Sequence, residues 1–254
     1  MILILSSPAS AASGDSGKVL NGDLIFGPDE NLDPAYKYTG WYMHEAGIYE
    51  TLFALDEKMN IIPKLATGFD QVSDTEYKIH LRPNVLFHDG TPLNAEAVVY
   101  SLERVMDSSN PRHGEFSFID SVSAVDDNTV SIKTTEPYSP AIASLIDPLV
   151  SIVKPGVNLN TTPVGTGPFK FDSNEKGVKL VVKKNDEYWG DKAKLDGANL
   201  FFVGDSMTRA MQLEGGDVDI ARGLPQTEVQ NIKGKSNLDV LSKETMRENL
   251  IYVN

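Results

Sequence analysis

Apolar and polar residues alternate along several short stretches of the chain, which is the pattern of half-buried β-strands. Between Thr75 and Arg82 every second residue is apolar, as a strand with one buried face requires. The same pattern on both sides of a turn predicts hairpins over Ile119–Lys133 and Phe169–Lys183. Shorter strands are predicted over residues 17–26, 200–203, 218–221, 238–241 and 249–253.

Apolar residues spaced three and four apart predict helices between these strands. The two longest are Met43–Leu55 and Ala95–Met106, and Asn94 is placed to cap the second. Shorter helices are predicted over 140–149, over 206–213 with Ser206 as the cap, and over 228–232. Strands and helices do not alternate strictly, so we expect a mixed α/β architecture with two subregions.

Composition excludes several classes of protein. The chain has 254 residues, a formal net charge of −13 and no cysteine. Binding to nucleic acid phosphates needs clustered Lys and Arg, and an acidic chain is also repelled by an anionic membrane surface. Without cysteine there are no disulfides, Cys-ligated metals or thiol nucleophiles.

The first residues have features of an export signal. Met1–Leu5 is apolar, and Ala9-Ser10-Ala11 gives an A-x-A site with cleavage expected before Ala12. A basic segment is missing and the apolar run is short, so a frayed apolar terminus is the alternative. We expect residues 1–16 to be a residual signal or disordered tail, and the protein to be exported to the periplasm or cell surface.

Motifs along the whole chain resemble one protein family. The first half carries YETLF (49–53), PKLA (63–66), VLFHDGTP (85–92) and NAEAV (94–98). The second half carries PVGTGPF (163–169), KN (184–185), YWG (188–190) and LEGGDVDI (213–220). Their order and spacing resemble the family 5 extracellular solute-binding proteins of dipeptide, oligopeptide and nickel ABC importers.

This resemblance implies a mixed-sheet lobe of the class II periplasmic-binding-protein type. Residues 17–50 and 165–254 would form the first ligand-binding lobe, incomplete, and residues 51–164 an inserted α+β subdomain. Family members are about twice as long, so we expect the second lobe to be absent and this chain alone to bind ligand weakly or not at all.

The implied function is capture of a peptide, or of a nickel or other metal chelate, for an ABC transporter. The implied partners are that ligand and the permease subunits, with the membrane reached only through the transporter, and we expect a monomer without a cofactor. Residues 147–151 lack an arginine that the nickel branch can use against an anionic chelate, and the choice of ligand stays open. A ligand-sensing module of the same fold, without transport, is the alternative function.

The candidate ligand contacts lie in an aromatic segment, Tyr36–Tyr42, between the first strand and the next helix. Aromatic side chains offer flat apolar walls with polar tips, and loops at strand ends often carry binding residues. By similarity to the family's cleft loop we expect ligand contacts from Tyr38, Thr39, Trp41 and Tyr42. The alternative is that some of them only pack on the following helix.

Other motifs that suggest chemistry are better explained by structure. The GTGPF segment lacks the Lys of a phosphate loop, and we expect a tight crossing whose glycines adopt positive φ. Among the four histidines only His113 is worth testing as a metal ligand, and a solvated loop histidine is favoured there. No G-x-S-x-G or H-E-x-x-H motif is present, so we predict neither an enzyme nor a metal site.

Overall fold

The computed structural model describes residues 2–6, 17–28 and 31–242. The described strands are β1 (Ile2–Ser6), β2 (Val19–Leu24), β3 (Phe53–Leu55), β4 (Ile61–Pro63), β5 (Ala66–Ser73), β6 (Glu76–Leu81), β7 (Ile119–Asp126), β8 (Thr129–Thr134), β9 (Phe169–Glu175), β10 (Lys179–Lys184), β11 (Gly197–Phe202), β12 (Ile220–Arg222) and β13 (Leu238–Ser242). The helices are α1 (Thr39–Glu45), α2 (Ala95–Met106), α3 (Ala141–Ser144), α4 (Ser206–Gly215) and α5 (Gln226–Ile232), with 3-10 turns at His113–Phe116 and Pro148–Val150.

Two main sheets divide the strands by their position in the chain. A seven-stranded sheet has the order β13-β1-β12-β2-β11-β10-β9, and a four-stranded sheet has the order β5-β6-β8-β7. The β2–β11 and β2–β12 pairs are parallel, which makes the seven-stranded sheet mixed. β3 and β4 form a separate ribbon. The strands of the four-stranded sheet and the ribbon all fall within residues 51–164, while the division into a lobe and an inserted subdomain stays a prediction.

Apolar periodicity predicted the regular elements well. In β6 the side chains of Tyr77, Ile79 and Leu81 are buried and the alternate ones are only half-buried. The two predicted hairpins are confirmed as β7–β8 and β9–β10. These elements were predictable because a period of two with one buried face is a local property of the sequence.

Helix α2 is confirmed with the predicted boundaries. The Asn94 side chain accepts a hydrogen bond from the Ala97 backbone N–H at 3.1 Å, and the buried stripe of the helix packs against the four-stranded sheet. Helix α4 ends as predicted, with Gly216 in the left-handed conformation at φ 81°. Its cap differs: Asp205, not Ser206, accepts from the Thr208 N–H at 2.8 Å.

The predicted helix Met43–Leu55 is wrong. Helix α1 ends at Glu45, and Gly47 follows with φ 72°, a conformation that stops an α-helix. Residues 49–53 are then non-helical and buried without interruption, and they lead into β3. A segment buried on every side has no polar face, so its apolar residues matched helical spacing without forming a helix.

The predicted disordered tail also differs from the structure at its start. Ile2–Ser6 forms β1, which pairs antiparallel with both β12 and β13. Both edges of β1 are paired, so it is an internal strand of the sheet, and a continuous apolar run is typical of such a strand. Residues 7–16 and the predicted strand 249–253 lie outside the described residues.

Three apolar clusters hold these layers together. The largest lies between the four-stranded sheet, α2 and the segments before and after them. A second packs α1 and residues 48–49 on one face of the seven-stranded sheet, and a third packs α4 and α5 on its other part. The first two clusters meet at residues 48–53, which places α1 at the junction of the two sheets.

Candidate functional site

Helix α1 and its preceding loop bring the predicted aromatic residues to this junction. Gly40 lets the helix approach the Pro148–Val150 turn closely, since a Cβ there would lie 2.5 Å from the Pro148 carbonyl oxygen. The Thr39 side chain is buried, and its Oγ1 donates to the Asn31 carbonyl at 3.1 Å. Thr39 therefore stabilises the loop, and its hydroxyl proton is already used in this hydrogen bond.

The structure divides the four predicted contacts between two cavities. Trp41, which is 48% exposed, lines a cavity of about 590 Å³ that we call the central cavity. Tyr38, Thr39 and Tyr42 line a different cavity of about 340 Å³ beside the ends of β2 and β11. Successive residues of a helix point about 100° apart, so a short helix presents neighbouring side chains to different surfaces.

The central cavity is built from both subregions of the chain. Its floor includes the buried side chains of Thr51 and Phe116, and its walls are mainly apolar. The lining residues are Trp41, His44, Glu45, Thr51, Ala54, Leu55, Glu115, Phe116, Ala143, Ser144, Ile146, Asp147 and Pro148. A concave, mostly apolar surface with a few polar groups is the usual form of a small-molecule site.

Carboxylates dominate the polar groups of this cavity, and two arginines partly balance them. Glu45 pairs with Arg222 at 2.7 Å. Arg112 donates from both Nε and Nη2 to Glu115, at 2.7 and 2.6 Å, and lies 3.5 Å from Asp147. Three carboxylates against two guanidinium groups leave the rim acidic, which favours a ligand with a positive group.

His44 is the other titratable group in the cavity wall. Burial lowers the pKa of its imidazole below the ordinary value, because desolvation disfavours the charged form. Its Nδ1 is buried and has no hydrogen-bond partner among the described residues. A neutral ring at this position adds a polar surface without a charge.

Beside Thr51 of the cavity, the buried carboxylate of Glu50 contacts residues from motifs in both halves of the chain. Glu50 is 2% exposed and accepts hydrogen bonds from Thr166, Tyr188 and Trp189 at 2.8, 2.7 and 2.9 Å. The Lys64 ammonium lies 3.1 Å from it. Tyr188 and Trp189 are thus structural, as the sequence favoured.

The GTGPF segment makes a tight crossing at this junction, but its glycines are needed for another reason than the predicted one. Gly165 and Gly167 do not have positive φ. A Cβ at either position would lie 2.1 Å from a backbone oxygen, of Ile48 and of Gly47 respectively. Close backbone approach, which no local pattern reveals, requires these glycines.

His88 fixes the same crossing. Its Nε2 donates to the Gly167 carbonyl at 3.1 Å, and its Nδ1 accepts from the Gly165 N–H at 3.3 Å. Burial is the main cause that lowers the pKa of His88 to about 4. The neutral ring is required here because a second ring proton would face an N–H donor.

His113 shows no metal environment. It is exposed, and its Nδ1 lies 2.8 Å from the Asn110 carbonyl oxygen. Across residues 2–6, 17–28 and 31–242, no three His, Asp or Glu side chains come together in a metal-binding arrangement. In the same ranges no helix is both long and apolar enough to cross a membrane.

The part of the cavity that comes from residues 51–164 was not predictable from the sequence. Thr51, Phe116 and Ile146 lie far apart in the chain and meet α1 only in the folded protein. The sequence held one weak indication of Phe116 as a binding residue. It follows a loop with Asn110-Pro111 and Gly114, and loops often carry binding residues. Nothing in the sequence indicated that this loop faces Trp41.

Comparison with known proteins agrees with this architecture. Residues 60–254 match the profile of the bacterial extracellular solute-binding proteins, family 5 Middle. The chain belongs to this family. It is 32% identical over 216 residues to the glutathione-binding protein GsiB of Pectobacterium atrosepticum, covering 81% of this chain and 42% of that protein.

Solved structures extend the likeness to the fold. A nickel ABC transporter protein from Bacillus halodurans superposes with a TM-score of 0.81 at 34% identity, over 86% of this chain and 46% of that one. The periplasmic binding protein DppA of Helicobacter pylori, in complex with the peptide STSA, gives 0.75 at 29% identity, over 86% and 49%. The family member described here thus spans about half the length of its relatives and has the predicted mixed α/β fold.

Proposed function

We propose that this chain is the ligand-capturing part of an extracytoplasmic solute-binding protein that delivers its ligand to the permease subunits of an ABC importer. The central cavity carries this proposal, because it is an apolar pocket with an acidic rim at the junction of the two sheets. Family membership supports the transport role, and relatives named as binding proteins support a function without catalysis.

In this proposal the lobe consists of residues 17–50 and 165–254, and residues 51–164 are the inserted subdomain. The protein acts as a monomer outside the cytoplasmic membrane and reaches that membrane only through the transporter. Ligand binding stabilises one conformation for recognition by the permease, as in other population-shift systems.

Of the predicted contacts, Trp41 is the one that we assign to the central cavity. The other three, Tyr38, Thr39 and Tyr42, stay predictions for the smaller cavity beside them. Trp41 suits a ligand contact because half of its surface is exposed in a concave site, where an aromatic ring gives a large contact area at little entropic cost.

A small peptide with a free amino terminus is the ligand that the cavity supports best. Glu115, Asp147 and Glu45 give the rim a net negative charge after pairing with Arg112 and Arg222, which complements an ammonium group. A nickel chelate is the second candidate, supported by the likeness to the Bacillus halodurans nickel protein.

Tryptophan fluorescence and calorimetry can test this proposal. The chain has two tryptophans, and only Trp41 lines the cavity. Titration with alanyl-alanine to millimolar concentration should give saturable binding and change the fluorescence, and Trp41→Phe should remove most of that optical change. N-acetyl-alanyl-alanine, which lacks the ammonium group, should bind at least roughly tenfold more weakly.

Nickel bis-histidine is titrated in parallel to decide between the two ligand classes. Tighter binding of the chelate than of every peptide would replace the peptide by the second candidate. Failure of both ligand classes to bind would contradict the proposed function.

A further inference from the structure

A second cavity adjoins the central cavity, and the two share one wall residue. This distal cavity has a volume of about 870 Å³, and Ala143 lines both cavities. Helix α3 forms one side of each. On the other side, Leu55 of β3 borders the central cavity, while its strand partner Ile61 borders the distal one. The two cavities therefore lie side by side along α3 and the β3–β4 ribbon.

Aromatic side chains give the distal cavity an apolar surface. Phe69 packs edge-on against Phe53 and Tyr77, with ring centroids 6.0 and 6.3 Å apart. Phe69 is nevertheless 44% exposed. Asp74 is the one charged residue among those that line the cavity. A large apolar ring left half in water at the mouth of a cavity favours an apolar occupant.

Strand β5 offers backbone groups along the same cavity. It lies at the edge of the four-stranded sheet, and within the described residues only β6 pairs with it. Gly68 lines the cavity where the register of β5 shifts. The free edge of a strand can hydrogen-bond an extended peptide backbone, while pockets beside it select side chains.

We propose that the distal cavity is a subsite for an apolar side chain of the ligand, beyond the residues held in the central cavity. The occupant is the same peptide, because the distal cavity lies beside the candidate site and shares Ala143 with it as a wall residue. The site then prefers peptides longer than a dipeptide with an aromatic or large aliphatic distal residue. This inference rests on the proposed function.

Gly68 allows the subsite to be filled without disturbing the fold. A Cβ built on it meets no atom within 4 Å, and its φ is not in the left-handed region. Gly68→Leu should therefore occupy the distal cavity from its wall. Gly204→Leu is the matched control, since Gly204 is equally free of neighbours and lies outside both cavities.

The experiment measures affinities by calorimetry for alanyl-alanine and for peptides that extend it by one or two residues at either end. Each extension carries Phe or Gly at the terminal position. We expect a Phe-extended peptide to bind roughly tenfold more tightly than its Gly counterpart. The gain should vanish in Gly68→Leu and persist in Gly204→Leu, with alanyl-alanine affinity unchanged in both.

Two results would overturn the subsite while leaving the proposed function intact. One is equal binding of Phe- and Gly-extended peptides by the unaltered chain. The other is a Phe gain that survives Gly68→Leu. If no peptide binds at all, including alanyl-alanine, the proposed peptide function fails and the subsite falls with it.

Discussion

Asp23 provides the sharpest test of the physical account of this fold. It lies in β2, in the middle of the seven-stranded sheet, and is 0% exposed. Neither carboxylate oxygen has a hydrogen-bond partner among the described residues. The nearby Arg209 guanidinium donates instead to the carbonyl oxygens of residues 203, 204, 222 and 223.

Burial therefore raises the pKa of Asp23 from 3.8 to about 6, and Arg209 offsets only part of this effect. One pKa unit corresponds to about 1.36 kcal/mol, so ionisation of Asp23 destabilises the folded state by roughly 3 kcal/mol. The sign follows from proton binding. Between pH 3.8 and about 6 the folded state binds more protons than the unfolded state, so stability falls as pH rises through this window.

Asp23→Asn removes the charge and keeps the shape. At a pH near 3.5 both side chains are neutral and we expect similar free energies of unfolding. At a pH near 7.5 the variant should be more stable by up to roughly 3 kcal/mol. Urea unfolding at both pH values measures the difference, and Asp239→Asn, an exposed acidic position on β13, is the matched control.

A stability difference that does not change with pH would refute this reasoning. So would a variant less stable than the parent chain at the higher pH, because it would mean that the Asp23 carboxylate has a stabilising partner. The control variant should stay within about 0.5 kcal/mol of the parent throughout.

Three further predictions concern the junction behind the cavity. Glu50→Gln weakens three hydrogen bonds to a buried carboxylate and removes the partner of the part-exposed Lys64, so it should cost about 1.5–3 kcal/mol in urea unfolding, whereas the exposed Glu57→Gln should change little; equal effects would contradict a buried network. Gly165→Ala should destabilise by about 1–3 kcal/mol or more because its Cβ meets a backbone oxygen, and Gly204→Ala, in open space, should not. Burial lowers the pKa of His88 from 6.5 to about 4, so its contribution to stability is fully present above pH 6.5 and is lost as pH falls to about 4. His88→Gln should therefore weaken the loss of stability in acid. An unchanged dependence of the unfolding free energy on pH would exclude His88 as its source.

Several parts of the fold were predictable because their causes are local. The boundaries of α2 followed from an apolar stripe and the Asn94 cap, and the hairpins followed from alternation on both sides of polar turns. In contrast, the segment 49–53 was predicted as a helix. Its burial comes from packing into two apolar clusters, most of whose members lie elsewhere in the sequence.

The candidate site also has one part that was predictable from the sequence and one part that was not. The sequence determined which short segment would carry exposed aromatic residues, and Trp41 does line the central cavity. It did not determine that Tyr38 and Tyr42 would face another surface, because the orientation of a short helix depends on what it packs against.

The sequence by itself determined the class of fold, the periodic elements and the family. Only the tertiary structure decided that Thr51, Phe116 and Asp147 would join Trp41 around one cavity, and that Gly165 is needed for close approach and not for positive φ. The physical reason is range: periodicity and capping act within a few residues, whereas a cavity and a backbone crossing are made by segments that only folding brings together.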